Sequence, residues 1–166
     1  MNIVLTGFMA SGKSVISKKL AKLTGYRLID TDEYIEEKEG ISINEIFKIY
    51  GEAYFRRLEK KAVENAALQE NAVISTGGGT VLDKSNVDVL RKNGKVFYLA
   101  PDFEIIEKRI CAAAATRPLL QNQSIEDIRK RFDARRPFYE NCDFKLRITK
   151  DMSVAECAEK ILNLMK

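Results

Sequence analysis

The 166-residue chain contains no histidine. That absence removes Ser-His-Asp and Cys-His nucleophilic chemistry and every His-based proton transfer, so any acid–base group here is Asp, Glu, Lys, Tyr or Cys. Cysteine is scarce as well. Cys111, Cys142 and Cys157 are widely spaced and form no CxxC pair, which argues against zinc sites and secreted disulfide frameworks. Reduced thiols in a cytoplasmic protein are the expectation. No apolar run approaches the roughly 20 residues of a membrane-spanning helix, so no membrane association is expected. The opening MNIVLTGF lacks the basic n-region and cleavage site of a signal peptide and reads instead as a strand beginning almost at Met1. An excess of one charge is also missing. With 28 basic and 24 acidic residues the net charge is +4, too mild to indicate a nucleic-acid partner. The one dense basic stretch, IRKRFDARRPFYE at 128–140, reads as a solvated helix face or as an anion-binding helix.

What is present is ordinary for a soluble globular protein: 45% hydrophobic and 31% charged residues, in a length that suits one domain with a proper core. NIVLT (2–6) reads as a buried strand. Lys13 to Leu23, with apolar Val15, Ile16, Leu20 and Leu23, suits a helix packed on it, stopped by Gly25. YRLID (26–30) reads as a second strand. From Thr31 to about Glu70 the pattern is helical: DEYIEEKEG ending at Gly40, SINEIFKIYG with a Ser42/Glu45 capping box, then the amphipathic EAYFRRLEKKAVENAALQE. NAVIST (71–76), KVFYLA (95–100) and DFKLRIT read as three more strands. SNVDVLRKNG, DFEIIEKRI, SIEDIRKRFDARRPFYEN (a helix running into a proline turn) and SVAECAEKILNLMK read as helices. CAAAATRPLLQNQ (111–123) reads as a surface loop. Five strands alternating with helices predict a three-layer α/β/α fold around a central parallel sheet. The segments at about 31–60 and 111–123 look grafted onto that core.

GFMASGKS, between the first strand and the first helix, fits G-x-x-x-x-G-K-S/T in full. Gly7 and Gly12 let the backbone amides around Ala10 and Ser11 curl about a phosphate. The helix that starts near Lys13 points its positive end at the same anion. Lys13 adds a point charge for the β- and γ-phosphates, and the Ser14 hydroxyl suits Mg²⁺. A chance glycine turn would not carry strand, spacing and helix together. Val15 follows where many such loops have a second hydroxyl, so the α-phosphate would rely on backbone donors.

No N-K-x-D guanine-reading motif is present, which argues against a GTPase switch. The third strand ends VISTGGG, without the Walker-B carboxylate of a motor-type ATPase. The nearest carboxylates are Asp30 and Asp32 at the end of the second strand, which also suit N-capping of DEYIEE. Ligands of open α/β sheets sit at the carboxyl ends of strands. Thr6–Gly7, Asp30–Asp32 and Thr76–Gly79 are therefore expected to converge on one crevice, where a triple glycine permits close backbone approach.

In order along the chain, GFMASGKS, LIDTDEYIE, GEAYFRRLE, ISTGGGTV, TRPLL and ARRPFYE resemble shikimate kinase from Asn2 to Lys166. The resemblance implies a P-loop kinase of the nucleoside monophosphate kinase-like type, a single domain over 1–166 with shikimate-binding helices at about 31–60 and a lid at about 111–123. It implies transfer of the γ-phosphate of ATP to the 3-hydroxyl of shikimate, with Mg²⁺. Arg56 and Arg135 would hold the shikimate carboxylate, for which a planar guanidinium is suited. Asp32 would act as base or orienting group for the attacking hydroxyl, and Asp30 would associate with Mg²⁺ alongside Ser14. Gly77, Gly78 and Gly79 would meet shikimate by backbone. Glu59, at i+3 from Arg56, would fix its rotamer. Arg117 matches the lid arginine over the transferring phosphate, and Arg109 the adenine-stacking position, with residues 150–153 on the other side of the base. Arg57 and Arg136 are expected to be solvated neighbours of the ligands. The Ala-rich CAAAAT is bland and slightly long for this lid. A gluconate or nucleoside monophosphate kinase of the same architecture, and a non-enzymatic nucleotide-binding module, remain alternatives. With no apolar surface stripe in the pattern, a monomer is expected.

Overall fold

The computed structural model describes residues 1–114 and 123–166. Five parallel strands form one sheet: β1 (Asn2–Thr6), β2 (Arg27–Asp30), β3 (Ala72–Ser75), β4 (Gly94–Pro101) and β5 (Phe144–Ile148), in spatial order β2-β3-β1-β4-β5. Among the described residues, eight α-helices connect or flank them: α1 (Lys13–Thr24), α2 (Thr31–Glu39), α3 (Ile43–Tyr50), α4 (Glu52–Ala67), α5 (Lys84–Asn93), α6 (Phe103–Ala114), α7 (Ile125–Tyr139) and α8 (Val154–Leu164). No helix among the described residues is long and apolar enough to cross a membrane.

The period-2 alternation of the strands sorts the core into two layers. Ile3, Leu5, Val73, Phe97 and Leu99 face α1 and α8, meeting Ile16, Leu20, Ala158 and Ile161. Val4, Ile74, Val96 and Tyr98 face the other way, toward Val63 of α4, Leu90 of α5, Ile106 of α6 and Ile128 and Phe132 of α7. Each fully buried Val, Leu, Ile or Phe among them contributes about 1.5–3 kcal/mol by leaving water, and a sheet buried on both faces needs both layers. A satellite cluster of Ile35, Ile46, Phe55 and Ala62 ties α2 and α3 to α4.

The helix ends follow local chemistry. Gly25 takes the left-handed conformation, φ 72°, that closes α1, and the Ser42/Glu45 capping box opens α3. Two expectations are corrected. Cys111–Ala114 continue α6 instead of starting a loop, as an alanine run, the best helix former, allows. Residues 115–122, all but the last of the remaining predicted lid residues, lie outside the described residues. The second correction is Pro137, which lies inside α7. The missing N–H costs one bond near the helix end; the Glu140 amide still bonds to the Arg136 carbonyl at 3.3 Å, and the Tyr139 hydroxyl ties the last turn to the Gly78 carbonyl. The structure also exposes Phe47, Ile49 and Tyr50 on α3, an apolar surface that the sequence pattern did not single out.

Candidate active site

Three adjacent strands end at one edge. Asp30 is in register with Ser75 and Ser75 with Leu5, so the loops after β1, β2 and β3 open into a common crevice.

The loop after β1 forms the cradle. Gly7, Ala10 and Gly12 have φ of 153°, 58° and 98°, a run of left-handed and extended turns that curls the chain. A Cβ on Gly7 would lie 2.8 Å from Ser11 Oγ and 2.9 Å from the Leu99 carbonyl oxygen, so only glycine fits. Gly12 caps α1 without a side-chain bond, which leaves the first-turn amides free for an anion. Lys13 Nζ donates to the carbonyls of Gly7 and Phe8, at 2.6 and 2.9 Å, and to Ser11 Oγ at 3.3 Å. Burial outweighs the pull of Asp32 and Asp30 and lowers the Lys13 pKa to about 8, with Arg135 adding to the lowering. Ser14 and Val15 are exposed at the helix start. Residues Ala10 to Val15 and Arg109 line a hollow of about 450 Å³. Arg109 Nη1 donates to the Ala10 carbonyl at 2.8 Å. Residues 150–153 are not part of that lining.

The loop after β2 supplies the two carboxylates, which part company. Asp30 Oδ1 accepts from the amides of Asp32 and Glu33, at 3.0 and 3.2 Å, and so caps α2. The buried Oδ1 of Asp32 has no hydrogen-bond partner among the described residues. Burial first, then the charges of Asp30 and Glu59, push its pKa up to about 6 against the opposing pull of Lys13. An unpaired, partly neutral carboxyl beside a partly neutral amine is an arrangement for receiving or orienting a proton.

The loop after β3 forms the opposite wall. A Cβ on Gly77 would come within 2.7 Å of Asp32 Oδ1, and one on Gly79 within 2.5 Å of both terminal nitrogens of Arg56. Gly78 leaves Arg135 Nη1 at 3.7 Å from its own Cβ position. Two guanidinium groups, from α4 and α7, thus flank adjacent glycines. Arg56 is fixed by Glu59 at 2.7 Å and by Glu52 at 3.3 Å. Glu59 is only 1% exposed, and its other oxygen accepts from Thr80 Oγ1 at 2.8 Å. Arg57 and Arg136 are exposed, and Arg57 lies over the Tyr54 ring. Arg117 lies outside the described residues.

Sequence reasoning passed over Thr31, whose hydroxyl accepts from the Gly77 amide at 3.1 Å, and Thr80 and Tyr139, which hold the same loop. Tyr139 stands inside the ARRPFYE motif, so its place was visible although its contact was not. A second hollow of about 500 Å³, beneath Tyr98 and Phe132, is mixed in charge. Of its four cations, Arg147, Lys145 and Arg129 are paired with Asp102, Glu140 and Asp133, which leaves Arg136 as the one without an ion pair among the described residues.

The family model described as shikimate kinase matches residues 9–166. The chain is 45% identical over 164 residues to the shikimate kinase of Caldicellulosiruptor saccharolyticus, covering 98% of this chain and 94% of that protein. It is 46% identical over 162 residues to that of Thermoanaerobacter pseudethanolicus, covering 97% and 94%. Among solved structures, shikimate kinase from Acinetobacter baumannii in complex with shikimate is similar at a TM-score of 0.89 and 32% identity, covering 99% of this chain and 92% of that one.

Proposed function

The chain belongs to the shikimate kinase family, and on that premise we propose which of its residues do the work. It transfers the γ-phosphate of ATP to the 3-hydroxyl of shikimate, giving shikimate 3-phosphate and ADP, a step toward aromatic amino acids. The observation that carries the residue assignment is the pair of guanidinium groups bracketing Gly78 and Gly79 opposite the cradle. A small carboxylated triol needs cations for its carboxylate and acceptors for its hydroxyls. Arg56 and Arg135 serve the first need and Asp32 the second.

In this reading the glycine loop and the α1 amides hold the ATP phosphates, and Lys13 neutralises charge on the transferring group. Arg109 borders the nucleotide hollow as the adenine contact. Asp32 accepts or orients the hydroxyl proton as the new O–P bond forms and the bond from the γ-phosphorus to the bridging oxygen of ADP breaks. Phosphoryl transfer needs positioning and charge neutralisation more than covalent chemistry. Arg117, through its TRPLL motif, is assigned as a further cation on the transferring phosphate. Mg²⁺ fits the donor set. Ser14 Oγ is a hard oxygen at the start of α1, and the capping bonds of Asp30 use its Oδ1, which leaves Oδ2 for a cation; among the described residues no cluster of three or more His, Cys, Asp or Glu competes for the ion. That suits a cation held by one or two protein groups plus phosphates and water. Bound there, Mg²⁺ would neutralise phosphate charge. The reading takes the chain as one kinase domain, a monomer acting on small molecules in the cytoplasm, with no nucleic-acid partner. The small net charge of +4 supports the lack of a nucleic-acid partner and the three free cysteines the cytoplasm; the exposed Phe47, Ile49 and Tyr50 count against the monomer.

A coupled assay tests the function. ATP consumption is expected to depend on shikimate and to be unmoved by gluconate or nucleoside monophosphates; no stimulation by shikimate refutes it. Gly79→Ala tests the carboxylate site. Its Cβ would displace the Arg56 guanidinium, the movable end of a side chain, and not the backbone. The shikimate KM should rise at least about tenfold, as loss of a charge-assisted contact predicts, with ATP KM unchanged. An unaltered shikimate KM would remove Arg56 from the site.

A further inference from the structure

The carbonyl groups of the triple-glycine loop can be accounted for one by one. Gly77 O accepts from the Thr80 amide at 3.2 Å, and Gly79 O from the Leu82 amide at 3.1 Å. Gly78 O accepts from no backbone amide among the described residues. Its partner is the phenol of Tyr139, 61 positions along the chain in α7.

Packing does not explain that phenol. The Tyr139 ring is fully buried and stacks on Tyr98, with centroids 5.1 Å apart and planes 17° apart. A phenylalanine ring would fill the same space, so the hydroxyl is there for the bond it makes. Burial pushes its pKa up to about 12, which keeps it a neutral donor. Arg135 stands one turn earlier on the same helix, and its charge opposes that rise. A single helix turn thus presents an arginine to the crevice and a hydroxyl to the loop that faces it.

The consequence lies in peptide geometry. In a planar trans peptide the carbonyl and the following N–H point to opposite sides, and no peptide bond in the described chain is cis. Holding the Gly78 carbonyl toward α7 therefore turns the Gly79 N–H away from α7. The amides of Gly78 and Gly79 donate to no acceptor among the described residues, whereas that of Gly77 is taken by Thr31. The loop is pinned on three sides: by Thr31 at the start of α2, by Glu59 of α4 through Thr80, and by Tyr139 of α7. Only the Tyr139 pin comes from the helix that also carries Arg135.

We propose that Tyr139 is a positioning residue for the acceptor substrate: by holding the Gly78 carbonyl, its hydroxyl aims the Gly79 amide and fixes the loop's spacing from Arg135. This rests on the acceptor site assigned above. Without the hydroxyl the Gly78–Gly79 peptide can rotate, and the donors that meet shikimate are no longer preset. The cradle approaches Gly78 at van der Waals distance, with Met9 N and Gly7 O at 3.7 and 3.8 Å from its Cβ position, and shares no hydrogen bond with it among the described residues.

Steady-state kinetics of Tyr139→Phe test it, with Ile106→Val as a core variant that does not touch the loop. Tyr139→Phe should raise the shikimate KM about tenfold, the scale of one buried acceptor left unpaired. The ATP KM and kcat should stay within about twofold of wild type. Ile106→Val should leave both KM values unchanged at a comparable loss of thermal stability. In an Arg135→Ala background the Tyr139→Phe factor should shrink, because the two share one function. An unchanged shikimate KM in folded Tyr139→Phe overturns the proposal, as does an equal rise in both KM values, which marks general loosening. A wild-type protein without shikimate-dependent turnover defeats the functional reading instead, so the two failures are distinguishable.

Discussion

Asp32→Asn lowers kcat by about 10²–10⁴, the usual contribution of a positioned proton acceptor, and the protein becomes more stable above pH 6. The first effect follows from the unpaired, buried Oδ1 on the crevice side of Gly77. Asparagine keeps the shape but cannot take a proton. The second follows from linkage. The folded-state pKa of about 6 stands above the ordinary 3.8, so the native state binds the proton more tightly than the unfolded chain. The resulting stability is fully present below pH 3.8 and is lost as pH rises through 6. At pH 8 wild type therefore carries a penalty of up to about 3 kcal/mol that the amide does not. Thermal unfolding of both proteins at pH 4 and pH 8 reads this directly, with the gap opening only at the higher pH. The kcat/KM of wild type should fall below about pH 6. Near-normal turnover of Asp32→Asn would remove the residue as base or orienting group.

Lys13→Met lowers kcat by about 10²–10³, the scale of removing one preorganised donor to developing charge. The substitution keeps the aliphatic stem and deletes the charge, together with three bonds to Gly7, Phe8 and Ser11. The loop should fold, because its shape is set by glycine conformations at Gly7 and Gly12 and by the Ser11 amide bonding back to the Phe8 carbonyl. ATP binding measured by calorimetry should weaken less than turnover falls, since the α1 amides remain. With the Lys13 pKa lowered to about 8, the wild-type kcat/KM profile should also decline above about pH 8, and that limb should vanish in Lys13→Met. Retention of the alkaline limb would assign it to another group.

The strands were legible because each is a short apolar run bounded by turn residues; β1 falls on the residues expected and the others within a residue or two. The cradle was legible because its spacing encodes a backbone shape. Asp30 and Asp32 were visible as a pair, but their division was not. Which carboxylate spends an oxygen on helix capping depends on the turn from β2 into α2. Pro137 read as a stop because propensity is local, whereas the last turn of α7 is also tied across to Gly78. Tyr139, Thr31 and Thr80 escaped notice for the same reason. Each acts through one hydroxyl on a loop far away in sequence, and no periodicity reports such a contact.

The strand order carries one more consequence. The central strand β1, at residues 2–6, pairs with β3 and β4, beginning at residues 72 and 94. Contacts of that sequence separation form late, because loop-closure entropy must be met before they are rewarded. During synthesis the cradle leaves the ribosome first, yet its neighbours in the crevice arrive with residues 77–80 and its last wall with residues 135–139. A nascent chain therefore carries a complete phosphate-binding motif long before it has a site. The walls at Asp32, residues 77–79 and Arg135 meet around the cradle only once all of those segments are present.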